Sequence, residues 1–317
     1  MKYWIGVTDD TWFNFLSKLL PDEVNFWQPS GKTAFKTLAP GELFLFKLHY
    51  PSNYIVGGGF FVRHSILPLS LAWEAFEQKN GAENFEEFRQ RIMHFRRQHG
   101  NFEPNPSIGC IILAAPFFFK KEEWLPVPIN WRANIVQGKT YDAKDQYGQS
   151  LWLRIQDYLQ GRNRNFLESV KQEEVVGVAE EQALYGAEYL TRARLGQGAF
   201  RILVTEAYSR RCAVTGERTL PALESAHIKP YSKSGPNNIS NGILLRSDLH
   251  KLFDLGYMTV TEDLKVEVSR RIKEEYENGR EYYALHGNKL VSLPSNPLDL
   301  PSRQYIEWHN KEIYDKR

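Results

Sequence analysis

The hydrophobic pattern of the first half of the chain predicts a sheet with helices packed against it. Apolar runs of strand length occupy residues 3–7, 42–48, 54–62 and 108–115, and apolar positions recur at helical spacing in residues 11–20, 70–79 and 85–95. Between them, the polar stretch 25–31 carries Phe26 and Trp27 and predicts a loop. Short strands that close on themselves, with helices outside, are typical of a small α+β barrel, and this is the fold that we predict.

The second half of the chain has shorter elements. Residues 224–229 predict a strand, residues 235–238 a turn and residues 249–255 the start of a helix. Farther on, we predict a hairpin at 257–268, a helix at 272–284 and a last helix at 302–314 with Ser302 as its cap. His286 and His309 stand alone in polar surroundings, so both are predicted to be ordinary surface histidines.

Two shifts in composition divide the chain. Seven of the eight Trp and sixteen of the nineteen Phe precede residue 160, which indicates that the first half has its own aromatic core. A glycine and polar residues follow from Gly161 onward and predict the end of that domain, with helical composition returning at residues 180–194. We therefore predict a first domain at residues 1–160, a linker at 161–190 and a second domain at 191–317.

Composition narrows the class of protein. With 42% hydrophobic and 25% charged residues, the chain is expected to be soluble and globular. No apolar run approaches the ~18 residues of a membrane span, and the first residues lack the apolar core of a signal peptide, so we expect a cytoplasmic protein. Cys110 and Cys212 lie far apart, and neither belongs to a paired zinc knuckle. We expect no disulfide and no structural zinc, with Cys212 as a small buried hydrophobe.

Three polar side chains are spaced along the strand, loop and helix predicted in the second domain: His227, Asn241 and His250. A neutral imidazole at His227 can accept a proton from an attacking water, and a divalent cation held partly by His250 can stabilise charge on a phosphodiester. Asn241 does not titrate, so we expect its amide to brace the loop and orient His227. Each residue alone would pass for an unrelated polar residue, but together they indicate phosphodiester hydrolysis.

The local charge favours a nucleic acid partner. The whole chain has a net charge of +2, but residues 192–254 hold ten Lys or Arg and five Asp or Glu. A basic surrounding is what a phosphate backbone requires, although a solvated basic face is the alternative. The basic side chains that we expect at a DNA backbone are Arg201, Arg211, Lys229 and Arg246.

Residues 192–260 resemble the HNH endonuclease family, which has the ββα-metal fold. The motifs that carry the resemblance are Cys212-Ala-Val-Thr-Gly216, Ala226-His-Ile-Lys-Pro230, Asn241-Gly-Ile-Leu-Leu245 and Asp248-Leu-His-Lys-Leu-Phe-Asp254. The resemblance implies that His227 is the general base, Asn241 the middle asparagine, and His250 a ligand of one divalent cation, Mg²⁺ or Mn²⁺.

The sequence departs from this family at Ala226, where many members carry a second metal ligand. The missing ligand must therefore come from elsewhere in the chain. Asp254, on the same helical face as His250, is the first candidate, and Glu224 is the second. Asp254 has an alternative role, which is to brace a loop by hydrogen bonding.

Residues 1–160 are more loosely similar to the EVE and YTH group of PUA-like barrels. The similarity is carried by Tyr3-Trp-Ile-Gly6, Phe26-Trp27, Pro40-Gly-Glu-Leu-Phe-Leu-Phe46 and Ile55-Val-Gly-Gly-Gly59. It implies a pocket with aromatic walls for a modified base flipped out of a nucleic acid. The pocket candidates are Trp27, Tyr50 and Phe26, and ordinary core packing is the alternative for each.

Together, the two halves resemble modification-dependent restriction endonucleases. We therefore expect a Type IV-like enzyme that flips and reads 5-methylcytosine or 5-hydroxymethylcytosine in double-stranded DNA and hydrolyses phosphodiester bonds with one metal ion. The alternatives are a non-catalytic reader of modified nucleic acid, which Ala226 favours, and a sequence-specific nicking or homing HNH nuclease. Cutting both strands with one site per chain requires either two chains or two sequential nicks, and we expect a homodimer or transient pairing on DNA.

Overall fold

The computed structural model of this 317-residue chain describes residues 1–97, 103–170 and 195–314. The chain divides into two compact units, Met1–Ala193 and Arg194–Arg317. Of the linker predicted at 161–190, residues 161–170 are the last part of a helix and residues 171–190 lie outside the described residues. The whole helical stretch predicted at 180–194 also lies outside them. None of the described helices has the length and apolarity that are required to cross a membrane.

The first unit is built on one seven-stranded sheet. Its strands are β1 Lys2–Thr8, β2 Glu23–Gln28, β3 Leu43–Leu48, β4 Tyr54–Pro68, β5 Ser107–Phe118, β6 Leu125–Pro126 and β7 Gly138–Asp142. They are ordered β2-β5-β4-β3-β1-β7, and β6 pairs with β4. Strands β1 and β3 are parallel, whereas the other pairs are antiparallel. The four strands that the hydrophobic pattern predicts in this unit are confirmed.

The predicted barrel is not closed. Among the described strands, β2 and β7 lie at the two ends of the sheet and do not pair with each other. The ladder between β4 and β5 shifts register between Gly58 and Phe60 and again between Phe61 and Arg63. Such irregularities bend a sheet, but here they do not bring its two ends together. The prediction of a closed barrel is therefore wrong, while a mixed, β-rich first domain is confirmed.

Within the described residues, the helices of this unit are α1 Asp10–Leu19, α2 Leu69–Phe76, α3 Phe85–Arg97 and α4 Gln146–Val170. Helix α1 begins where the Asp9 side chain accepts a hydrogen bond from the Trp12 backbone N–H at 2.7 Å, and it ends at Leu20, whose φ of 48° is left-handed. It buries Trp12, Phe13 and Leu16 on one face. This face packs against the sheet.

Apolar cores lie on both faces of the sheet. In β3, Phe44 and Phe46 belong to the core that α1 covers, whereas Leu43 and Leu45 belong to the core that includes the buried side chains of α4. Alternate residues of a strand point to opposite faces, so one strand supplies both cores. Both cores contain aromatic side chains, which agrees with the concentration of Trp and Phe in the first half of the chain.

The polar stretch predicted as a loop at 25–31 lies largely in strand β2. Its buried Asn25 donates a side-chain hydrogen bond to Oδ1 of Asn80 at 2.9 Å, and the buried Glu23 pairs with Lys79 at 3.0 Å. These partners come from the segment after α2 and satisfy polar groups that would otherwise be costly to bury. The loop prediction is wrong because those long-range partners leave no local signal in the sequence.

The second unit contains a two-stranded ribbon followed directly by a helix. Its strands are β8 Leu223–His227, β9 Gly242–Arg246, β10 Met258–Val260 and β11 Val266–Val268, and its helices are α5 Gln197–Ala207, α6 Ser247–Asp254, α7 Arg271–Tyr276, α8 Arg280–Tyr283 and α9 Arg303–His309. Strands β8 and β9 are antiparallel, and α6 follows β9 without a loop. Leu249 and Phe253 of α6 share one core with the buried Cys212. Cys212 is thus buried among apolar residues, as predicted.

The helix predicted at 272–284 is interrupted. Helix α7 ends at Glu277, which has a φ of 54°, and α8 begins after Gly279, which has a φ of 114°. A Cβ atom on Gly279 would lie 2.5 Å from Cγ2 of Ile272, so a glycine is needed for both backbone and space. The hairpin predicted at 257–268 is confirmed as β10 and β11.

His309 is buried, which contradicts the prediction of a surface histidine. It is 2% exposed and stacks on Phe253 with ring centroids 3.7 Å apart. Its Nδ1 lies 2.8 Å from Oγ1 of Thr259, and its Nε2 lies 3.1 Å from the carbonyl oxygen of Phe253. Burial lowers the pKa of His309 to about 4. His286, in contrast, is exposed as predicted.

We expect His309 to make the second unit sensitive to acid. Because its pKa falls from 6.5 in the unfolded chain to about 4 in the fold, the unfolded chain binds the proton more readily. Stability is therefore lost as pH falls from 6.5 to 4, by about 3 kcal/mol from this group. Urea unfolding at pH 7 and pH 4 measures the loss, and His309→Gln should lose less than the wild type. Equal losses in the two proteins would contradict this expectation.

Candidate active site

His227 lies at the end of β8, where helix α5 packs against its ring. The Phe200 ring of α5 stacks on the imidazole with centroids 3.8 Å apart and an interplanar angle of 12°. Across the ribbon, His227 pairs with Gly242. A Cβ atom on Gly242 would lie 2.3 Å from Cγ2 of Val204 and 3.0 Å from Cε2 of Phe200. The glycine therefore allows α5 to approach the ribbon and Phe200 to reach the imidazole.

Asn237 determines which nitrogen of His227 is basic. Its Nδ2 donates to the carbonyl oxygen of Leu195 at 2.5 Å, which leaves its Oδ1 facing Nε2 of His227 at 2.7 Å. An amide oxygen accepts hydrogen bonds, so Nε2 carries the proton and Nδ1 is the basic nitrogen. Burial lowers the pKa of His227, and the hydrogen bond with Asn237 opposes that shift. His227 is therefore a neutral imidazole at neutral pH.

Asn241 braces the loop before β9, as expected. Its side-chain amide, however, forms hydrogen bonds with the backbone and not with His227. The side chain is buried; its Oδ1 accepts from the Lys229 backbone N–H at 2.9 Å, and its Nδ2 donates to the carbonyl oxygens of Lys229 and Pro236, both at 2.9 Å. The orienting role that we expected of Asn241 belongs to Asn237. The sequence pattern predicts only a turn at 235–238. The two asparagines of its Gly-Pro-Asn-Asn run are the one sequence signal that points to Asn237.

His250 lies on α6 between two carboxylates. Its Nδ1 is 2.6 Å from Oε2 of Glu224 on β8, and its Nε2 is 3.3 Å from Oδ2 of Asp254 one helical turn later. Burial raises the pKa of the Asp254 carboxyl, and the nearby His250 opposes that shift. Both candidates for the missing metal ligand thus lie beside His250, on opposite nitrogens of the ring.

The two histidines face the same cleft. A cleft of about 510 Å³ is lined by His227, His250 and Asp254 together with Ser225 and Tyr231. Within the described parts of the chain, no three His, Cys, Asp or Glu side chains converge on a point ready to hold a metal ion. The reason is geometric, because Glu224 and Asp254 bind opposite sides of one imidazole.

Ala226, where many HNH endonucleases carry a metal ligand, points into the core. It pairs with Ile243 across the ribbon and is fully buried in the same core as Leu244 and Leu249. Successive residues of a strand face opposite sides, which separates Ala226 from His227. Ala226 offers no metal ligand, and the carboxylates that lie beside His250 are those of Glu224 and Asp254.

Four basic side chains were expected at a DNA backbone: Arg201, Arg211, Lys229 and Arg246. Arg246 forms a two-point ion pair with Asp248, with distances of 2.8 and 2.6 Å, so a phosphate would have to compete with that carboxylate. The Lys229 ammonium lies 5.6 Å from the ring centroid of Trp308. Arg201 is half-buried on α5, and Arg211 is exposed.

The three candidates for a base pocket do not face one another. Phe26 is buried in the core that α1 covers, 4.7 Å from Phe44 between ring centroids, whereas Trp27 follows it in β2 and points to the other face. Tyr50 is 87% exposed. Phe26 therefore packs in the core. Trp27 is half-buried, so part of its ring is accessible to a ligand.

Comparison with known proteins supports the assignment of the second unit. Residues 212–261 match the HNH endonuclease family. Among solved structures, a mutant ASCH protein from Zymomonas mobilis matches with 9% identity over 48% of this chain and 96% of its own, at a TM-score of 0.31. The modification-dependent restriction endonuclease TagI matches with 15% identity over 92% of this chain and 75% of its own, at a TM-score of 0.27. With TM-scores this low, neither likeness carries an argument.

No curated protein matches this chain. The family match nevertheless contains the six polar residues of the site described above, namely Glu224, His227, Asn237, Asn241, His250 and Asp254. The ribbon-and-helix order of β8, β9 and α6 agrees with the ββα fold that the motifs imply. The chain therefore contains an HNH endonuclease domain at residues 212–261.

Proposed function

We propose that this chain is a metal-dependent DNA endonuclease whose first unit directs it to modified cytosine. One observation carries the nuclease part of the proposal: His227, with a basic Nδ1, lies on the same cleft as His250 and Asp254. Hydrolysis of a phosphodiester needs a base for the attacking water and donors for a cation that stabilises the developing charge. The cleft offers both kinds of group.

The donors at His250 and Asp254 fit a divalent cation. Their Nε2 and Oδ2 atoms are 3.3 Å apart, near the roughly 3 Å between adjacent ligands of an ion held at about 2.1 Å. Glu224 accepts the proton of Nδ1 at 2.6 Å and so leaves the lone pair of Nε2 for the ion. The carboxylate oxygen of Asp254 suits Mg²⁺ or Mn²⁺, and we propose that one such ion binds here with the imidazole of His250 as a second donor. When bound, it would stabilise negative charge on the phosphate.

The protein's own groups then act as follows. Nδ1 of His227 accepts a proton from water as the water oxygen bonds to phosphorus. The bond from phosphorus to the leaving oxygen breaks, and that oxygen takes up a proton from solvent. Nε2 of His227 keeps its proton and its hydrogen bond to Asn237, so the ring does not turn during the transfer. Asn241 holds the Lys229 and Pro236 backbone in place around the base.

The finer part of the proposal is that the first unit reads 5-methylcytosine or 5-hydroxymethylcytosine. The sequence resemblance of residues 1–160 supports it, and so does the way in which Trp27 is held. The indole N–H of Trp27 donates to the carbonyl oxygen of Asn80 at 3.0 Å, and the rings of Phe88 and Phe95 lie 6.1 and 5.9 Å away. A rigidly held, half-buried aromatic ring is suited to stack on an extruded base.

Replacing Trp27 tests this reading role. Stacking of one base is worth about 1–3 kcal/mol, so Trp27→Ala should reduce the preference for modified over unmodified DNA by about tenfold. Binding to both DNAs and the melting temperature should be measured beside Trp152→Ala, which removes another half-buried Trp in this unit. Equal weakening on both DNAs would show that Trp27 serves the core instead.

Digestion of matched DNA substrates tests the proposed function as a whole. Plasmids with unmodified, 5-methylated or 5-hydroxymethylated cytosine should be incubated with Mg²⁺, Mn²⁺ or EDTA. We expect metal-dependent cutting of the modified plasmids. Equal cutting of all plasmids would favour a nicking or homing nuclease, and binding without cutting would favour a reader. Persistent nicked circles, with linear product rising linearly in enzyme concentration, would speak against a dimer or paired chains.

A further inference from the structure

Lys47 is a buried cation in the first unit. It lies in β3 and is 4% exposed. Its ammonium lies 5.2 Å from the ring centroid of Trp131, and among the described residues it forms no ion pair with a carboxylate. Burial lowers the pKa of Lys47. A charge held out of water without a counter-charge destabilises a fold, so such a residue is expected to have a role that offsets this cost.

A second lysine lies on the same face of the sheet. Strand β1 separates β3 from β7, with Val7 opposite Lys47 and Ile5 opposite Lys139. Directly opposite residues in neighbouring strands, and residues two apart in one strand, share a face. The side chains of Lys47 and Lys139 therefore leave the same face, two strand spacings or about 10 Å apart across the sheet.

The loop between β6 and β7 connects the two lysines. Trp131 covers Lys47, and its neighbour Asn130 accepts a hydrogen bond from Nζ of Lys139 at 3.3 Å through its carbonyl oxygen. Tyr141 donates to Oδ1 of Asn130 at 2.8 Å and holds that side chain in place. Within the described ranges, Lys139 also forms no ion pair with a carboxylate. Two ammonium groups thus flank one short loop without a neutralising anion from the described chain.

We propose that Lys47, Lys139 and the loop residues Asn130 and Trp131 form a binding site for a backbone phosphate of DNA. An anion between two ammonium groups would supply the counter-charge that Lys47 lacks. The same loop exposes Ile129 by 93%, which offers apolar contact to the sugar beside a phosphate and favours a polynucleotide over free phosphate. The site depends on the proposed function only because DNA is taken as its ligand. All four residues lie in the first unit, so the site does not depend on the nuclease residues of the second unit.

The salt dependence of DNA binding tests the site. Binding of the full chain to a fluorescent duplex should be measured in EDTA at several salt concentrations. Lys47→Met and Lys139→Gln should each reduce the slope of log affinity against log salt by about 0.9, equally for modified and unmodified DNA. Lys18→Gln, which removes an exposed lysine of α1, should leave the slope unchanged. Lys47→Met should melt at or above the wild-type temperature, because methionine fills similar space without a charge.

The remaining outcomes overturn the site. An unchanged slope in both variants would mean that Lys47 belongs to the core alone, whatever its effect on the melting temperature. If inorganic phosphate raised the melting temperature of the wild type but not of Lys47→Met, and the DNA slope stayed unchanged, the ligand would be free phosphate. Lys139→Gln decides the question if Lys47→Met does not fold. Failure of the proposed nuclease function would be a separate result: the wild type would not cleave DNA, while both lysine variants would still show the reduced slope of log affinity against log salt.

Discussion

His227→Ala should abolish strand cleavage while DNA binding remains nearly intact. Loss of a general base costs about 10²–10⁴-fold in rate. The proposed base is Nδ1 of a neutral imidazole that Asn237 and Phe200 hold in place, so the variant loses the proposed proton acceptor together with its ring. The measurement is the single-turnover cleavage rate at saturating DNA, with affinity determined separately in EDTA.

Two further variants make the His227 result specific. His94→Ala removes an exposed histidine of α3 and should cut at the wild-type rate. Asn237→Ala leaves the imidazole but removes the group that orients it, so cleavage should fall less than in His227→Ala. A His227→Ala protein that cut DNA near the wild-type rate would remove this residue from the reaction, and the assignment of the base would be wrong.

His250→Ala should change the metal requirement more than the affinity for DNA. Losing this ligand should raise the metal concentration for half-maximal cleavage by at least about tenfold. Because Asp254 would still offer a carboxylate oxygen, high metal concentration should restore part of the activity. The measurement is the cleavage rate as a function of Mg²⁺ and of Mn²⁺ concentration. A titration that superimposes on the wild type would exclude His250 as a ligand.

Variants of the two carboxylates beside His250 separate a ligand from an orienting group. Asp254→Asn should shift the metal titration as strongly as His250→Ala, whereas Glu224→Gln, which acts through the orientation of the ring, should shift it less. Asp263→Asn, which alters an exposed carboxylate in the hairpin turn, is the matched control. If Glu224→Gln were the more damaging variant at every metal concentration, the ligand roles of Glu224 and Asp254 would be exchanged.

The sequence was sufficient for the parts of the site that lie on regular elements. The strand before His227 and the helix of His250 have clear apolar patterns, so their residues could be placed on elements before the structure was known. The family motif covers the same short range, and its spacing is local. For these residues, position along the chain nearly determines position in the fold.

Contacts between distant segments could not be predicted in this way. Asn237 meets His227 only because the loop after β8 folds back, and Leu195 then fixes its amide. Phe26 and Trp27 were predicted to share a pocket for a related reason: a loop was predicted where β2 lies, and in a strand the two side chains point to opposite faces. Closure of the sheet likewise depends on which edge strands meet, and an apolar pattern carries no information about that pairing.

The contacts of helix α5 bear on how the nuclease unit should be isolated. Phe200, which stacks on His227, and Leu195, whose carbonyl holds Asn237, both precede the family match at residues 212–261. A truncated fragment that begins at Cys212 would keep His227 and His250. It would lose the Phe200 ring that stacks on His227 and the Leu195 carbonyl that binds Asn237. An independently expressed nuclease fragment must therefore start before Leu195 to reproduce the chemistry of the whole chain.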